Sequence, residues 1–99
     1  MTLDYAWEKF YNAVRTLAIT DSDLKSRLTA AAVNHLMQVT PEEDLPENLR
    51  GEFNHILEEL TTQGGIPETI AYMTKIEASN VAEEVLSLYD KIVKENSKQ

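Results

Sequence analysis

The sequence predicts an all-α fold, a compact bundle of four to five helices with no β-sheet. Apolar residues recur with helical spacing along the whole chain, and no six-residue stretch alternates apolar and polar residues. Hydrophobic residues make up 42% of the 99 residues, which suffices for one packed core, while the chain is too short for two ordinary domains. We therefore expect a single helical domain over residues 1–99.

Apolar stripes and capping residues place the individual helices. The predicted helices span about residues 4–19, 22–39, 46–61, 67–73 and 75–95. Asp4 is the expected N-cap of the first helix, and Asp21 or Ser22 that of the second, because short polar side chains accept hydrogen bonds from free backbone N–H groups. The polar residues 95–99 are expected to form a frayed tail.

Turn and cap signals separate the later helices. The segments 40–43 and 74–77 both read Thr-x-x-Glu, which is the spacing of a capping box with threonine at the N-cap. Pro46 follows the first of these so closely that we expect a single helical turn at 41–45. The Gly64-Gly65 pair is expected to end the third long helix in left-handed backbone.

Composition disfavours several classes of function. Nine basic residues stand against seventeen acidic ones, a net charge of -8, so we expect no binding to nucleic acid and none to anionic membranes. The helix predicted over 46–61 has Arg50 as its sole basic residue, unlike a DNA recognition helix. The chain has no cysteine, which excludes disulfides, thiol nucleophiles and thiolate metal sites. The sequence shows no secretory signal and no long apolar run, so we expect a cytoplasmic protein.

Metal and catalytic motifs are weak or incomplete. Glu52 and His55 have the Glu-x-x-His spacing of di-iron helical bundles, but a second copy is required, and His35 has Ala32 at the corresponding position. Serine nucleophile motifs and a phosphate-binding loop are also missing from the sequence. The sequence therefore predicts no metal site, no cofactor and no enzymatic activity.

The segment Asp21-Ser22-Asp23-Leu24 resembles the Asp-Ser-Leu motif of acyl carrier proteins. Those proteins are small acidic helical bundles whose serine, at the start of the second helix, carries phosphopantetheine. The resemblance implies modification at Ser22. Asp23 stands where the carriers have leucine, and their long loop before the serine is missing here. The other interpretation of Ser22 is a plain helix N-cap.

Apolar residues on the first and last helices exceed what one neighbouring helix can cover. Either the last helix is central in the monomer, or a partner or a second copy buries part of its face. The candidate protein interface consists of Trp7, Tyr11, Val85 and Tyr89, since aromatic residues favour interface hot spots. The sequence thus favours a small acidic adaptor or regulatory protein that binds another protein or itself. The alternative is an acidic decoy that inhibits a nucleic-acid-binding protein.

Overall fold

The computed structural model describes residues 3–98, and within this range the chain is helical with no strand. The elements are α1 (Asp4–Ile19), α2 (Leu24–Asn34), a 3₁₀ helix (Leu36–Gln38), α3 (Pro41–Asp44), α4 (Glu47–Glu59), α5 (Ile66–Tyr72) and α6 (Lys75–Asn96). The predicted all-α class is confirmed. The described range holds six α-helices rather than four or five, because the single turn at α3 is a helix in its own right. None of these helices has the length and apolar content to cross a bilayer.

The longest helix, α6, lies at the centre of the bundle and packs against α1, α2 and α4. Its buried residues follow one another at spacings of three and four: Ala78, Val81, Val85, Leu88 and Ile92. Three neighbours cover a wider apolar stripe than one neighbour can. The apolar surplus of this helix is therefore covered largely within the monomer.

Two phenylalanines join α1 to α4 in the core. Phe10 and Phe53 are both fully buried, and their rings meet edge to face with centroids 5.4 Å apart and an interplanar angle of 63°. This geometry places the positive edge of one ring against the negative face of the other. This ring contact holds α4 against α1. Separate contacts hold α4 against α6.

Two predicted N-caps are wrong. The N-cap of α1 is Leu3, which makes no side-chain cap bond, and Asp4 is the first helical residue. The N-cap of α2 is Asp23, whose Oδ1 accepts a hydrogen bond from the backbone N–H of Ser26 at 2.8 Å. The helix therefore begins at Leu24, two residues later than predicted.

The second predicted helix is also shorter than expected at its end. The backbone leaves helical geometry at His35, with φ -128° and ψ -56°, and the chain continues as a 3₁₀ turn rather than as α-helix to residue 39. In a 3₁₀ turn, residues three apart lie on the same side. Leu36 and Val39 are accordingly both buried.

One of the two predicted capping boxes is confirmed. The backbone N–H of Glu77 donates to Thr74 Oγ1 at 3.0 Å, and the Thr74 N–H donates to Glu77 Oε1 at 2.8 Å. The box predicted at 40–43 is wrong, because the Thr40 side chain makes no cap bond. Its backbone N–H donates instead to Asp44 Oδ2 at 2.7 Å, since the last residue of this one-turn helix folds back over its start.

Arg50 holds the short helix α3 against α4. Its Nε donates to the carbonyl oxygens of Pro41 and Leu45 at 3.1 and 2.9 Å, and its Nη2 donates to that of Glu42 at 3.2 Å. Carbonyl groups at the end of a helix lack an intrahelical donor, and the guanidinium supplies one to Glu42 and Leu45. It gives Pro41 a second donor, because that carbonyl also accepts from the Leu45 N–H at 3.2 Å. The sole basic side chain of α4 is thus engaged with backbone.

The turn between α4 and α5 depends on glycine and on a buried hydroxyl. Gly64 has a φ of 96°, as predicted, but Gly65 has a φ of -84°, and α4 already ends at Glu59 rather than at the glycine pair. The Oγ1 of Thr69, a buried side chain, donates to the Gly65 carbonyl at 2.8 Å and accepts from the Gln63 N–H at 2.9 Å. The buried hydroxyl thus both donates and accepts a hydrogen bond, and these two bonds hold the turn against the start of α5.

The last helix continues one residue beyond the predicted end, to Asn96, and the Ser97 N–H donates to the Val93 carbonyl at 3.1 Å. The predicted frayed tail over 95–99 also includes Gln99, which lies outside the described residues. An ion pair lies about one turn from this end, with 2.8 Å between Lys94 Nζ and Asp90 Oδ2. It places a positive charge near the negative end of the helix dipole.

The two threonines at the predicted capping boxes make a matched pair for testing these contacts. We expect Thr74→Ala to lower the free energy of unfolding by about 1 kcal/mol, because α6 loses a side-chain cap. We expect Thr40→Ala to change it by less than about 0.5 kcal/mol, since that hydroxyl caps nothing. Urea unfolding followed by circular dichroism measures both. Equal losses in the two variants would contradict the assignment of the caps.

Candidate functional site

Three metal-ligating side chains meet between α4 and α6. His55 and Glu59 lie one turn apart on α4, and Glu84 reaches them from α6. His55 Nε2 is 3.5 Å from Glu59 Oε1 and 3.3 Å from Glu84 Oε2. These three residues are called the His55 cluster below. One ligand atom from each lies within 4.8 Å of the others, so the group could hold a metal ion.

Antiparallel packing of α4 and α6 assembles this cluster. One turn earlier on α4, Glu52 Oε1 accepts a hydrogen bond from Lys91 Nζ at 2.6 Å, across the same pair of helices. Buried residues next to the cluster, Ile56 on α4 and Val85 on α6, hold the two backbones in place. Glu52 is therefore paired with a lysine, and the partners of His55 are two other glutamates.

The cluster brings two carboxyl groups together with a single histidine. The pKa of Glu84 is raised to about 7, first by burial and then by the adjacent Glu59 carboxylate, while His55 acts in the opposite direction. Glu59 Oε1 and Glu84 Oε1 are shielded from solvent and have no hydrogen-bond partner. Two shielded carboxylate oxygens without a donor are costly, and either a proton or a cation relieves that cost.

A cleft of about 220 Å³ lies beside the cluster. It is lined by Glu59, Thr62, Met73, Glu77, Asn80 and Val81. Glu59 thus borders both the cluster and the cleft. The carboxylate of Glu77 is already committed to the α6 capping box through the Thr74 N–H. Of the two carboxylates that line the cleft, Glu59 is the one that also belongs to the cluster.

The interface residues predicted from sequence lie at different depths. Trp7 is half-buried against the core and stacks on Tyr11, with ring centroids 5.2 Å apart and planes within 4° of parallel. Tyr11 is 37% exposed, and Tyr89 is half-buried against the core. Val85 is fully buried, so a partner of the folded chain does not reach it. Sequence periodicity identified the apolar face correctly but not which neighbours cover it.

A different apolar surface lies where α5 meets α6. Tyr72 is 77% exposed and Ile76 is 74% exposed, four residues apart on either side of the junction. The surrounding surface includes a largely apolar cleft of about 270 Å³ lined by Asp23, Leu24, Lys25 and Lys75. Lys25 Nζ donates to the Ala71 carbonyl at 3.0 Å, which ties the start of α2 to the end of α5.

We call this surface the α5–α6 corner, made of Tyr72, Ile76, Leu24, Lys25 and Lys75. Helical periodicity and capping patterns do not single out this surface, because Ile76 falls inside the Thr74–Glu77 capping-box segment. The available signal was two large apolar side chains that lie off the apolar stripes of their helices. At the corner, hydrogen bonds from Ser26 and the charges of both lysines lower the pKa of Asp23.

Ser22 lies exposed before α2, and its backbone N–H donates to the Thr20 carbonyl at 3.0 Å. The capping role expected of Ser22 belongs to Asp23, one residue later. Modification of Ser22 by phosphopantetheine stays a prediction, which the intact mass of the protein purified from its own host would test.

Glu84 should make the free energy of unfolding fall as pH rises. Its pKa of about 7 in the folded chain lies above its ordinary value of 4.5, so the folded state holds the proton more tightly. This stabilisation is present below the lower of those values and is lost as pH rises through the higher one. The groups facing Glu84 from α4 are His55 and Glu59. We expect the urea midpoint, measured in EDTA, to fall from about pH 5 to about pH 8.

Two glutamine variants test whether this pH dependence comes from Glu84 or from another carboxylate. Glu84→Gln should flatten the change with pH, because the group with the raised pKa is gone. Glu83→Gln, its exposed neighbour on α6, should leave the change as it is in the original chain. An undiminished fall in Glu84→Gln would mean that the pH dependence comes from elsewhere.

No protein-family model, curated protein or solved structure matches this chain. The two surfaces with the most specific chemistry are the His55 cluster and the α5–α6 corner.

Proposed function

We propose that this chain is a small acidic protein-binding module, an adaptor or regulatory protein without catalytic activity, and that it binds its partner at the α5–α6 corner. One observation carries the proposal. Tyr72 and Ile76 expose about three quarters of their surface, and Lys75, the chain neighbour of Ile76, lines a largely apolar cleft. Contiguous exposed apolar surface marks interaction sites, whereas apolar residues scattered singly do not.

The side chains at the corner suit a binding hot spot. Tyrosine gives a large contact area at a small cost in conformational entropy and keeps a hydroxyl for hydrogen bonding. Ile76 lies in the first turn of α6, whose start is fixed by the capping box, so its position is well defined before binding. A preformed surface loses less entropy on association than a flexible one.

Charge indicates what kind of partner fits. Lys25 and Lys75 outnumber Asp23 at the cleft, so the corner is locally positive in a chain whose net charge is -8. An apolar segment that carries carboxylates complements this surface. A second copy of the chain brings an equal excess of negative charge, which opposes self-association. We therefore propose a different protein, with an acidic apolar segment, as the occupant.

A random peptide library displayed on phage provides a defined probe of this surface. We expect selection against the immobilised full chain to enrich apolar peptides that contain Asp or Glu. The affinity of an enriched peptide is then measured by fluorescence polarisation with the chain and its variants. Failure to enrich any common sequence, or enrichment of basic peptides, would contradict the proposed partner chemistry.

Three serine substitutions locate the binding surface. We expect Ile76→Ser to weaken peptide binding about tenfold or more, because a buried interface contact is lost. Leu86→Ser is the control on the same helix, ten residues away or about 15 Å along the axis, and should bind as the original chain does. Tyr11→Ser tests the surface predicted from sequence. Loss of binding in Tyr11→Ser but not in Ile76→Ser would move the site to the Trp7–Tyr11 stack.

Salt separates this proposal from the acidic-decoy alternative. Binding through an apolar corner should change little as salt rises, because screening acts on charges. A decoy that imitates nucleic acid should weaken steeply. Binding that falls steeply with salt and tolerates Ile76→Ser would favour the decoy.

A further inference from the structure

We propose that His55, Glu59 and Glu84 form a binding site for a divalent transition-metal ion that links α4 to α6. The inference concerns the His55 cluster and does not depend on binding at the α5–α6 corner. It stands on three properties of the cluster: the spacing of its ligand atoms, the chemistry of its donors, and its shielded carboxylate oxygens.

The spacing of the ligand atoms fits a tetrahedral ion. Zinc binds imidazole nitrogen and carboxylate oxygen at about 2.0–2.1 Å, which puts neighbouring ligand atoms about 3.3 Å apart. His55 Nε2 lies 3.5 Å from Glu59 Oε1 and 3.3 Å from Glu84 Oε2. One ligand atom from each of the three residues lies within 4.8 Å of the others, so small side-chain rotations complete the geometry.

The donors also suit such an ion. Imidazole favours zinc and its neighbours over magnesium or calcium, and carboxylates supply the negative charge. Two carboxylates and one neutral imidazole neutralise a divalent cation. Three protein ligands leave a fourth position for water, as in zinc sites that are not closed by the protein.

The shielded oxygens are an independent observation that points to a cation. Glu59 Oε1 and Glu84 Oε1 are both removed from solvent and accept no hydrogen bond. A carboxylate can only accept, so neither oxygen satisfies the other. The other charged contact on this side of the helix pair, between Glu52 and Lys91, brings its own cation, whereas the His55 cluster has a histidine shared between two acids.

The backbone around the cluster is well suited to hold three ligands in register. His55 and Glu59 are four residues apart on one helix, the spacing at which side chains share a face. Glu84 projects from α6 next to Val85, which is fully buried. Because both helices are anchored in the core, the ligands are largely in position before the ion binds, which favours affinity.

Titration of the metal-free full chain with ZnCl₂ by isothermal calorimetry tests the site. We expect binding of one ion per chain and a thermal midpoint that rises with the concentration of Zn²⁺, because the ion binds the folded state. Replacing Zn²⁺ with Co²⁺ should give the visible absorption of a four-coordinate ion. Weak binding without saturation would overturn the proposal.

Matched variants distinguish the cluster from adventitious binding. His55→Gln and Glu84→Gln should each weaken Zn²⁺ binding about tenfold or more and abolish the Co²⁺ absorption. Both sites are partly exposed, so the variants should remain folded, which circular dichroism confirms. His35→Gln and Glu83→Gln should bind as the original chain does, since neither residue belongs to the cluster.

Two results would overturn the proposal. If His35→Gln weakens Zn²⁺ binding as much as His55→Gln does, the ion binds histidines on the surface adventitiously. If Glu84→Gln removes the pH dependence of stability while Zn²⁺ has no effect on the original chain, the shielded oxygens share a proton instead of a metal.

Discussion

The packing of α6 is the constraint on which the rest of the bundle depends. Its 22 residues make a rod about 33 Å long, comparable to the 38 Å longest dimension of the molecule. α1, α2 and α4 each bury apolar side chains against it, and α4 also meets α1 through Phe10 and Phe53. The start of the rod is fixed by the reciprocal Thr74–Glu77 cap. Errors in its register would displace every helix that it contacts.

The edge of the α4–α6 contact differs in character from its interior. Inside lie Phe53, Ile56 and Val85, all fully buried, so this part of the contact is held by apolar burial. At the edge lie charged and polar groups whose surroundings are partly dry. Partial removal of water is what makes Glu84 reluctant to ionise, and the same removal would strengthen its attraction to a cation. The chemistry of the His55 cluster therefore follows from its position at the rim of the core.

Local sequence patterns predicted those features whose causes are local. The first helix has the bounds predicted for it, 4–19, and the capping box at Thr74 has both predicted bonds. The break at His35 was missed because the apolar spacing runs through it, and the 3₁₀ turn there serves the burial of Leu36 and Val39. Tertiary packing thus overrode the helical pattern at that point.

The candidate sites escaped prediction because they depend on contacts distant in sequence. Glu84 is 29 residues from His55, and their meeting follows from antiparallel packing of α4 and α6, which periodicity does not specify. Glu52, at the recognised spacing, pairs with Lys91 instead. Predicting the corner at Ile76 requires knowledge of which apolar residues remain exposed once the core is packed.

The hydrogen bonds from Arg50 to α3 determine which helices separate together when the molecule partly unfolds. A four-residue helix such as α3 has almost no stability of its own, because a single turn makes too few hydrogen bonds to offset the ordering of its backbone. Here its carbonyl groups receive donors from a side chain of α4. The two helices therefore form one cooperative unit, residues 41–59, whose amide protons should exchange with solvent together. Detachment of α4 from the bundle would release α3 in the same event.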